Sequence, residues 1–182
     1  MVKSALATNP LRKLRLSSNL TVIELANKVS VSTRTIYLAE CGVYETPLEA
    51  VSHFFINGNK ATAQEINIAY DQFRADARTK LKNRINPDMW KFSIPFNQIT
   101  SFRTTLNTPL APIKDFRINS MMLTQTAFIR EFLVNPGTLM RLEDKKTYKN
   151  LPTEIKSALI ECGAPTKFIE ELNVRTKIYH DR

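Results

Sequence analysis

Glycine, cysteine and histidine are all scarce in this chain. Only four of the 182 residues are glycine, and neither GxGxxG nor GxxxxGK[ST] occurs, which excludes a glycine-rich phosphate-binding loop. Cys41 and Cys162 lie far apart, so they form neither a disulfide framework nor a set of zinc ligands. His53 and His180 have no second ligand at i+3 or i+4. We therefore expect no metal, no cofactor and a reducing compartment.

Long apolar runs are missing as well. Nowhere do 18 apolar residues follow one another, and the N-terminus, MVKSALATNPLRKLRL, lacks the apolar segment of a signal peptide. Aspartate and glutamate are dispersed, without a serine or histidine partner at a spacing that suggests catalysis. These absences predict that the protein is soluble and cytoplasmic and has no membrane partner. They also predict that it is not an enzyme.

Positive charge is abundant. Lysine and arginine number 26 against 17 acidic residues, which gives a formal charge of +9 and a pI near 9.7. This balance favours a polyanionic partner such as nucleic acid, although solubility alone also produces basic surfaces. With 43% hydrophobic residues, the chain can form one compact domain or two small ones.

One pattern occurs twice. Residues 20–40 read LTVIELANKVSVSTRTIYLAE and residues 123–143 read LTQTAFIREFLVNPGTLMRLE, at a constant offset of 103. Five positions are identical and the apolar positions correspond; the identical pairs are Leu20 and Leu123, Thr21 and Thr124, Val31 and Val134, Thr35 and Thr138, and Glu40 and Glu143. Upstream, Leu14-Arg15 corresponds to Phe116-Arg117, with one extra residue before Leu123. We interpret the two stretches as a duplicated domain.

Local signals divide each copy into short helices. Thr21 and Glu24 form a capping box, which predicts a helix from about Val22, and Ser32 is an N-cap for a helix over about 33–39. Gly42 should end that helix, and Pro47 sits where we expect a fourth helix to start. In the second copy, Asn135-Pro136 predicts the start of the later helix near Pro136.

Between the copies, Thr62 and Glu65 form another capping box and an apolar stripe predicts a long helix over about 62–85. One flank carries Arg74, Arg78 and Lys82, which could track phosphates or form an ordinary solvated face. Residues 88–112 follow, with a short helix predicted over about 97–106. Their aromatic residues could stack on bases or pack against one copy: Trp90, Phe92, Phe96 and Phe102.

The segment LRKLRLSSNLTVIELANKVSVSTRTIYLAECG resembles the Cro/CI-type, or XRE-like, helix-turn-helix family of phage repressors and related regulators. The matching residues are Leu11-Arg12, Leu14-Arg15, Leu20-Thr21, Leu25-Ala26, Val31-Ser32, Thr35-Ile36, Glu40 and Gly42. The family's glutamine at the start of the second helix is Val22 in the first copy and Gln125 in the second. Its turn glycine is Ser30 in one and Leu133 in the other, so each turn must adopt a positive φ or rearrange without glycine.

The resemblance implies that the helix after Ser32 enters the DNA major groove. Arg34 could donate two hydrogen bonds to guanine, and which of Thr33, Arg34 and Tyr37 reads bases stays open. The candidate DNA-binding residues are Thr21, Ser32, Thr33, Arg34, Thr35 and Tyr37 in the first copy, and Gln125, Thr126, Thr138, Arg141, Lys145 and Lys146 in the second. Lys145 and Lys146 fit either a backbone anchor or a solvated loop. Pro136 and Gly137 replace hydrogen-bonding side chains, which makes base reading by the second copy poorer.

The predicted fold is all-α, with two lambda-repressor-like helix-turn-helix domains joined by a long helix and an aromatic connector. The expected divisions are 8–58, 59–110 and 111–182, the last with a C-terminal helix over about 166–175. The first functional hypothesis is a sequence-specific regulator of transcription that binds double-stranded DNA, similar to a phage or mobile-element repressor, in a bacterial cell or a phage-infected host. It could act as one chain on two half-sites or as a homodimer. The alternative is a protein-interaction module that docks on RNA polymerase, another regulator or a replication protein.

Overall fold

The computed structural model describes residues 9–93, 110–144 and 148–181. Within these ranges the chain is all-helical, as the sequence predicts, and it contains ten α-helices and no strand. The chain divides into two compact units, Met1–Lys80 and Leu81–Arg182. This division falls inside the segment 59–110 that the sequence predicts as a connector.

Five helices begin in unit 1. They are α1 (Pro10–Ser17), α2 (Val22–Lys28), α3 (Thr33–Glu40), α4 (Glu49–Asn57) and α5 (Ala63–Arg84), the last of which continues past Lys80 into unit 2. The predicted starts of α2, α3 and α5 are confirmed to within a residue. The predicted role of Pro47 is wrong: α4 begins at Glu49 with Leu48 as its N-cap, so Pro47 precedes the helix instead of opening it.

The core of unit 1 is built from the inward residues of all five helices. Its buried members are Leu11, Leu25, Ala26, Ile36, Ala39, Val51, Phe55, Ile66 and Tyr70. Ile66 and Tyr70 belong to α5, so the first half of that helix completes the core that α1 to α4 begin. Removing the water around such side chains supplies the main driving force for packing these short helices together.

Unit 2 contains five further helices. They are α6 (Pro112–Asp115), which continues as a π-helical turn over Phe116–Ser120, then α7 (Gln125–Phe132), α8 (Pro136–Glu143), α9 (Thr153–Glu161) and α10 (Thr166–His180). A 3-10 turn over Pro87–Met89 follows α5. The start of α8 at Pro136 is confirmed, whereas α10 runs five residues beyond the predicted end near 175.

Aromatic rings fill the centre of unit 2. The Trp90 ring stacks on Phe116 with centroids 5.5 Å apart and meets Phe168 edge-on at 5.5 Å. Phe92 stacks on Phe168 at 4.9 Å, and the guanidinium carbon of Arg175 lies 4.1 Å from the centroid of the Phe92 ring. Of the two alternatives for Trp90 and Phe92, packing is therefore the one observed.

Phe96, Phe102 and the helix predicted over 97–106 lie outside the described residues. In the part of the chain that the structure describes, no helix combines the length and the apolar character needed to cross a bilayer.

Candidate nucleic-acid interface

Two helices and a tight turn form the segment that carries the predicted site in unit 1. The Thr21 hydroxyl accepts the Glu24 N–H, and the Glu24 carboxylate accepts the Thr21 N–H at 2.7 Å, which completes the capping box of α2. The hydrogen bond from the Thr21 N–H is the largest cause that lowers the pKa of Glu24, and a hydrogen bond between the Glu24 carboxylate and the Thr21 hydroxyl lowers it further. While this cap holds, the Thr21 amide is engaged within the protein.

The turn between α2 and α3 depends on a left-handed residue. Ser30 has a φ of 55°, and the N–H of Val31 then donates to Ala26 O at 3.0 Å. Of the two alternatives for this turn, a positive φ without glycine is the one observed. Ser32 follows as N-cap: its hydroxyl accepts the Thr35 N–H at 3.0 Å and lies 2.8 Å from the Thr35 hydroxyl. The two hydroxyls thus bond each other at the start of α3.

One face of α3 is buried and the other is open. Ile36 and Ala39 are each 1% exposed and pack into the unit 1 core. Thr33, Arg34 and Tyr37 point outward, and Tyr37 keeps 51% of its surface exposed although it is aromatic. Because positions 33 and 37 lie one turn apart, the three side chains share one solvent-facing stripe near the start of the helix.

A buried ion pair fixes the far end of α3. Arg15 Nε lies 2.5 Å from Glu40 Oε1, and Arg15 Nη2 donates to Glu40 Oε2 at 2.9 Å, with each side chain 8% exposed. The hydrogen bond to Glu40 raises the pKa of Arg15. Arg15 Nη1 also donates to Leu20 O at 2.8 Å, so a single guanidinium ties α1, the loop before α2 and the end of α3 together.

Further contacts hold the backbone that follows α3. Asn9 Nδ2 donates to Ala39 O at 3.1 Å, and the Tyr70 hydroxyl donates to Tyr44 O at 3.2 Å. Burial raises the pKa of Tyr70 to about 12, so the phenol remains a donor at physiological pH. Arg74 Nη1 donates to Gly42 O at 2.5 Å and to Tyr44 O. These hydrogen bonds fix the backbone at the end of α3 and in the loop that follows it.

The burial of Arg74 and Arg78 corrects the interpretation of the α5 flank. The sequence leaves open whether Arg74, Arg78 and Lys82 form a row that tracks phosphates or an ordinary solvated face. Arg74 is 7% exposed and Arg78 is 9% exposed, whereas Lys82 is open to solvent. The three residues therefore form neither a phosphate-tracking row nor a solvated face. Arg74 donates to the loop after α3, and two of the three charges are inside the protein.

Unit 2 repeats the same bonding scheme. Arg117 Nε and Nη2 donate to the two carboxylate oxygens of Glu143 at 2.8 and 3.0 Å, and Arg117 Nη1 donates to Leu123 O at 2.8 Å. Leu133 has a φ of 51°, and Val134 N–H donates to Ile129 O at 3.2 Å. The extra residue before Leu123 is absorbed by the π-helical turn over Phe116–Ser120.

The outward chemistry of the second copy differs from the first. Thr138 is 8% exposed, so little of its surface is open to a duplex. Gln125 Nε2 donates to Glu143 Oε2 at 3.1 Å, which commits one of its donors to the protein. Thr126 and Arg141 remain exposed, although Arg141 Nε donates to Gly137 O at 3.1 Å. Lys145 and Lys146 lie outside the described residues.

The sequence comparison aligned Arg15 with Arg117 and Glu40 with Glu143, but it did not identify them as ion pairs. Arg15 and Glu40 recur as Arg117 and Glu143, and two charged residues repeated at helix positions that face a core are a signal of a buried pair. Asn9 gave no comparable signal. No protein-family model, curated protein or solved structure matches this chain.

Proposed function

We propose that this protein is a sequence-specific regulator that binds double-stranded DNA and reads the major groove with α3. The observation that carries the proposal is the open stripe of Thr33, Arg34 and Tyr37 on a helix whose other face is buried. A groove-reading helix needs this division, because its outer side chains must reach base edges while its inner ones hold it on the domain.

The exposed groups have the chemistry that the groove requires. Arg34 can donate a pair of hydrogen bonds to guanine O6 and N7, and Thr33 can contact a phosphate or a thymine methyl. Tyr37 adds a hydroxyl one turn further along. The chain's formal charge of +9 would supply affinity that does not depend on sequence, through release of counterions from the DNA.

The bracing of α3 contributes to specificity. Arg15 and Glu40 fix its end, and Asn9 holds Ala39 O, so the helix is presented in one position before any partner arrives. A preorganised contact surface loses less conformational entropy on binding than a mobile one. Phosphate contacts would then set the register, and the side chains of α3 would discriminate between bases.

For the second copy, a different role is favoured. Pro136 and Gly137 start α8 without hydrogen-bonding side chains, Thr138 is buried, and Met140 on the same helix is 54% exposed. An exposed methionine suits a protein partner better than a base edge, because its thioether is only a weak hydrogen-bond acceptor. The second candidate function is therefore docking of unit 2 on RNA polymerase, another regulator or a replication protein, while unit 1 binds DNA.

The first test compares Arg34→Ala with Arg12→Ala, since both arginines are exposed in unit 1. If Arg34 reads a guanine, its loss should weaken binding to the selected site by about 5- to 150-fold, equivalent to about 1–3 kcal/mol, and binding to random DNA far less. Arg12→Ala should change both affinities by the same factor. Equal losses on both DNAs for Arg34→Ala would remove that residue from base reading.

The second test asks whether unit 2 touches DNA. The full chain is required, because a fragment ending at residue 60 would lose Ile66 and Tyr70 from the unit 1 core. If Arg141 contacts a phosphate, Arg141→Ala should reduce the slope of log affinity against log salt by about one. An unchanged slope would favour the docking role for unit 2.

A further inference from the structure

Three neighbouring side chains of α5 hold the segment that begins where α3 ends. Arg74 Nη1 donates to Gly42 O at 2.5 Å and also to Tyr44 O. One turn earlier on α5, the Tyr70 hydroxyl donates to Tyr44 O at 3.2 Å. Phe73 packs so close to Gly42 that a Cβ added there would lie 2.5 Å from Phe73 Cε1. Polar and apolar contacts therefore join α5 to the segment after α3.

Arg74 fixes the path of this backbone from inside unit 1. Gly42 O and Tyr44 O accept from the same terminal nitrogen, so the hydrogen bonds set the positions of both carbonyls relative to α5. Hydrogen bonds from a charged donor are roughly twice as strong as neutral ones. The guanidinium also lies just past Cys41, the C-cap of α3, where a cation favours the negative end of the helix dipole. Arg74 is 7% exposed, so little of its surface is open to a DNA backbone.

The second copy differs at the corresponding positions. Counted from the start of each helix, Lys177 occupies the position in α10 that Arg74 occupies in α5, and Lys177 is exposed. Asn173 takes the place of Tyr70, and its Oδ1 accepts the Leu151 N–H at 2.9 Å. Unit 2 nevertheless keeps the buried ion pair and the left-handed turn. A buried arginine at this position of the fifth helix is therefore not required to form either feature.

We propose, on the basis of the function proposed for α3, that Arg74 is a positioning residue for base reading: it fixes the end of α3 relative to α5 without touching DNA itself. Arg34 and Tyr37 reach base edges only while α3 keeps its angle to the duplex. Hydrogen bonds weaken steeply as their geometry departs from linear, so a small rotation of α3 costs discrimination between bases. Phosphate contacts from exposed side chains depend less on that angle, because they are largely electrostatic.

The main variant is Arg74→Met, which removes the donors and keeps an apolar side chain of similar length. The measurement is the ratio of affinities for the selected site and for random DNA, at a temperature where circular dichroism shows a folded protein. We expect this ratio to fall by about 10-fold, inside the range of about 5- to 150-fold for one base contact. Arg74→Lys keeps the charge but not the planar fork, so its ratio should lie between those of Arg74→Met and the unaltered protein.

Ile66→Val is the matched control for stability. Ile66 lies on α5 and is 2% exposed in the unit 1 core, so the change weakens the packing of α5 and leaves the hydrogen bonds of Arg74 in place. We expect a lower urea midpoint and an unchanged ratio of affinities. An equal fall of the ratio in Ile66→Val and Arg74→Met would mean that stability alone sets the ratio, and it would overturn the proposal.

A double variant asks whether Arg74 acts through α3. In the protein with Arg34→Ala, the guanine contact is already lost, so Arg74→Met should lower the ratio by much less than in the unaltered background. Equal factors in the two backgrounds would overturn the positioning role.

The two proposals fail in different ways. If the unaltered protein shows no preference for any site, the proposed function of α3 falls and the role of Arg74 falls with it. If the preference exists and survives Arg74→Met unchanged, only the positioning role is overturned. An unchanged ratio in Arg74→Lys has the same meaning should Arg74→Met fail to fold.

Discussion

Breaking the ion pair between Arg15 and Glu40 should lower the free energy of unfolding of unit 1 substantially. Glu40→Gln removes the charge that both guanidinium bonds depend on and leaves Arg15, whose side chain is 8% exposed, as an uncompensated buried cation. Removing one partner of a buried pair costs about 3–5 kcal/mol. Since domains are stabilised by only about 5–15 kcal/mol, this is a large fraction of the total.

The assay is urea denaturation followed by circular dichroism, with amide hydrogen exchange to assign the transition to unit 1. With a slope of about 2 kcal/mol per molar urea, a loss of about 4 kcal/mol moves the midpoint by about 2 M. Glu45→Gln is the control, because Glu45 is exposed and surface changes usually stay within about 0.5 kcal/mol.

A double variant separates the pair from its parts. Arg15→Met with Glu40→Leu replaces both charges by apolar side chains of similar length, so it should cost less than Glu40→Gln alone. A cost of less than about 1 kcal/mol for Glu40→Gln would refute the role of the ion pair. So would a cost of the double variant that equals the sum of the costs of Arg15→Met and Glu40→Leu.

Three substitutions and one titration probe the turns and the cap of α2. Gly42→Ala should destabilise unit 1 by about 2–4 kcal/mol, because φ is +77° and the new Cβ would lie 2.5 Å from Phe73 Cε1; thermal unfolding measures it. Ser30→Gly should stabilise unit 1 by up to about 1 kcal/mol in urea by relieving a φ of 55°, whereas Leu133→Gly should destabilise unit 2 by about 2–4 kcal/mol because that side chain is 3% exposed. The lowered pKa of Glu24 means that its contribution to stability is present above pH 4.5 and is lost as the pH falls through the folded pKa; carboxyl NMR titration measures the midpoint.

Three of these predictions have the following contradicting outcomes. A neutral Gly42→Ala would mean that the ring of Phe73 moves aside at no cost. Loss of stability in Ser30→Gly would mean that the left-handed turn is not strained. A Glu24 midpoint at or above its ordinary value of 4.5 would remove the capping hydrogen bonds as the cause of the shift.

Short-range signals in the sequence predicted much of the fold. The capping boxes at Thr21 and Thr62 and the N-caps at Ser32 and Asn135 located four helix starts, because each depends on residues within one turn. The prediction that α4 starts at Pro47 was wrong, because proline also occurs just before helices.

The burial of individual side chains depends on contacts between residues far apart in the sequence, and the sequence patterns did not predict it. Arg74 and Arg78 are spaced as a solvated row would be, and only the loop carbonyls about 30 residues away that accept from Arg74 show why it is buried. Thr35 and Thr138 are identical in the alignment of the two copies, yet Thr35 is half-buried and Thr138 is buried. Thr33, Arg34 and Tyr37, which the resemblance places on the outward face of α3, are exposed, and their contacts with DNA stay a prediction.

The most direct test of base reading by α3 is selection of bound sites from random double-stranded DNA, with the full-length protein and with Arg34→Ala in parallel. We expect the protein to enrich a defined motif that contains a guanine, and Arg34→Ala to lose the preference at that position while still binding DNA. Absence of any enriched motif, or recovery of the same motif with the same strength by Arg34→Ala, would contradict the claim that α3 reads DNA.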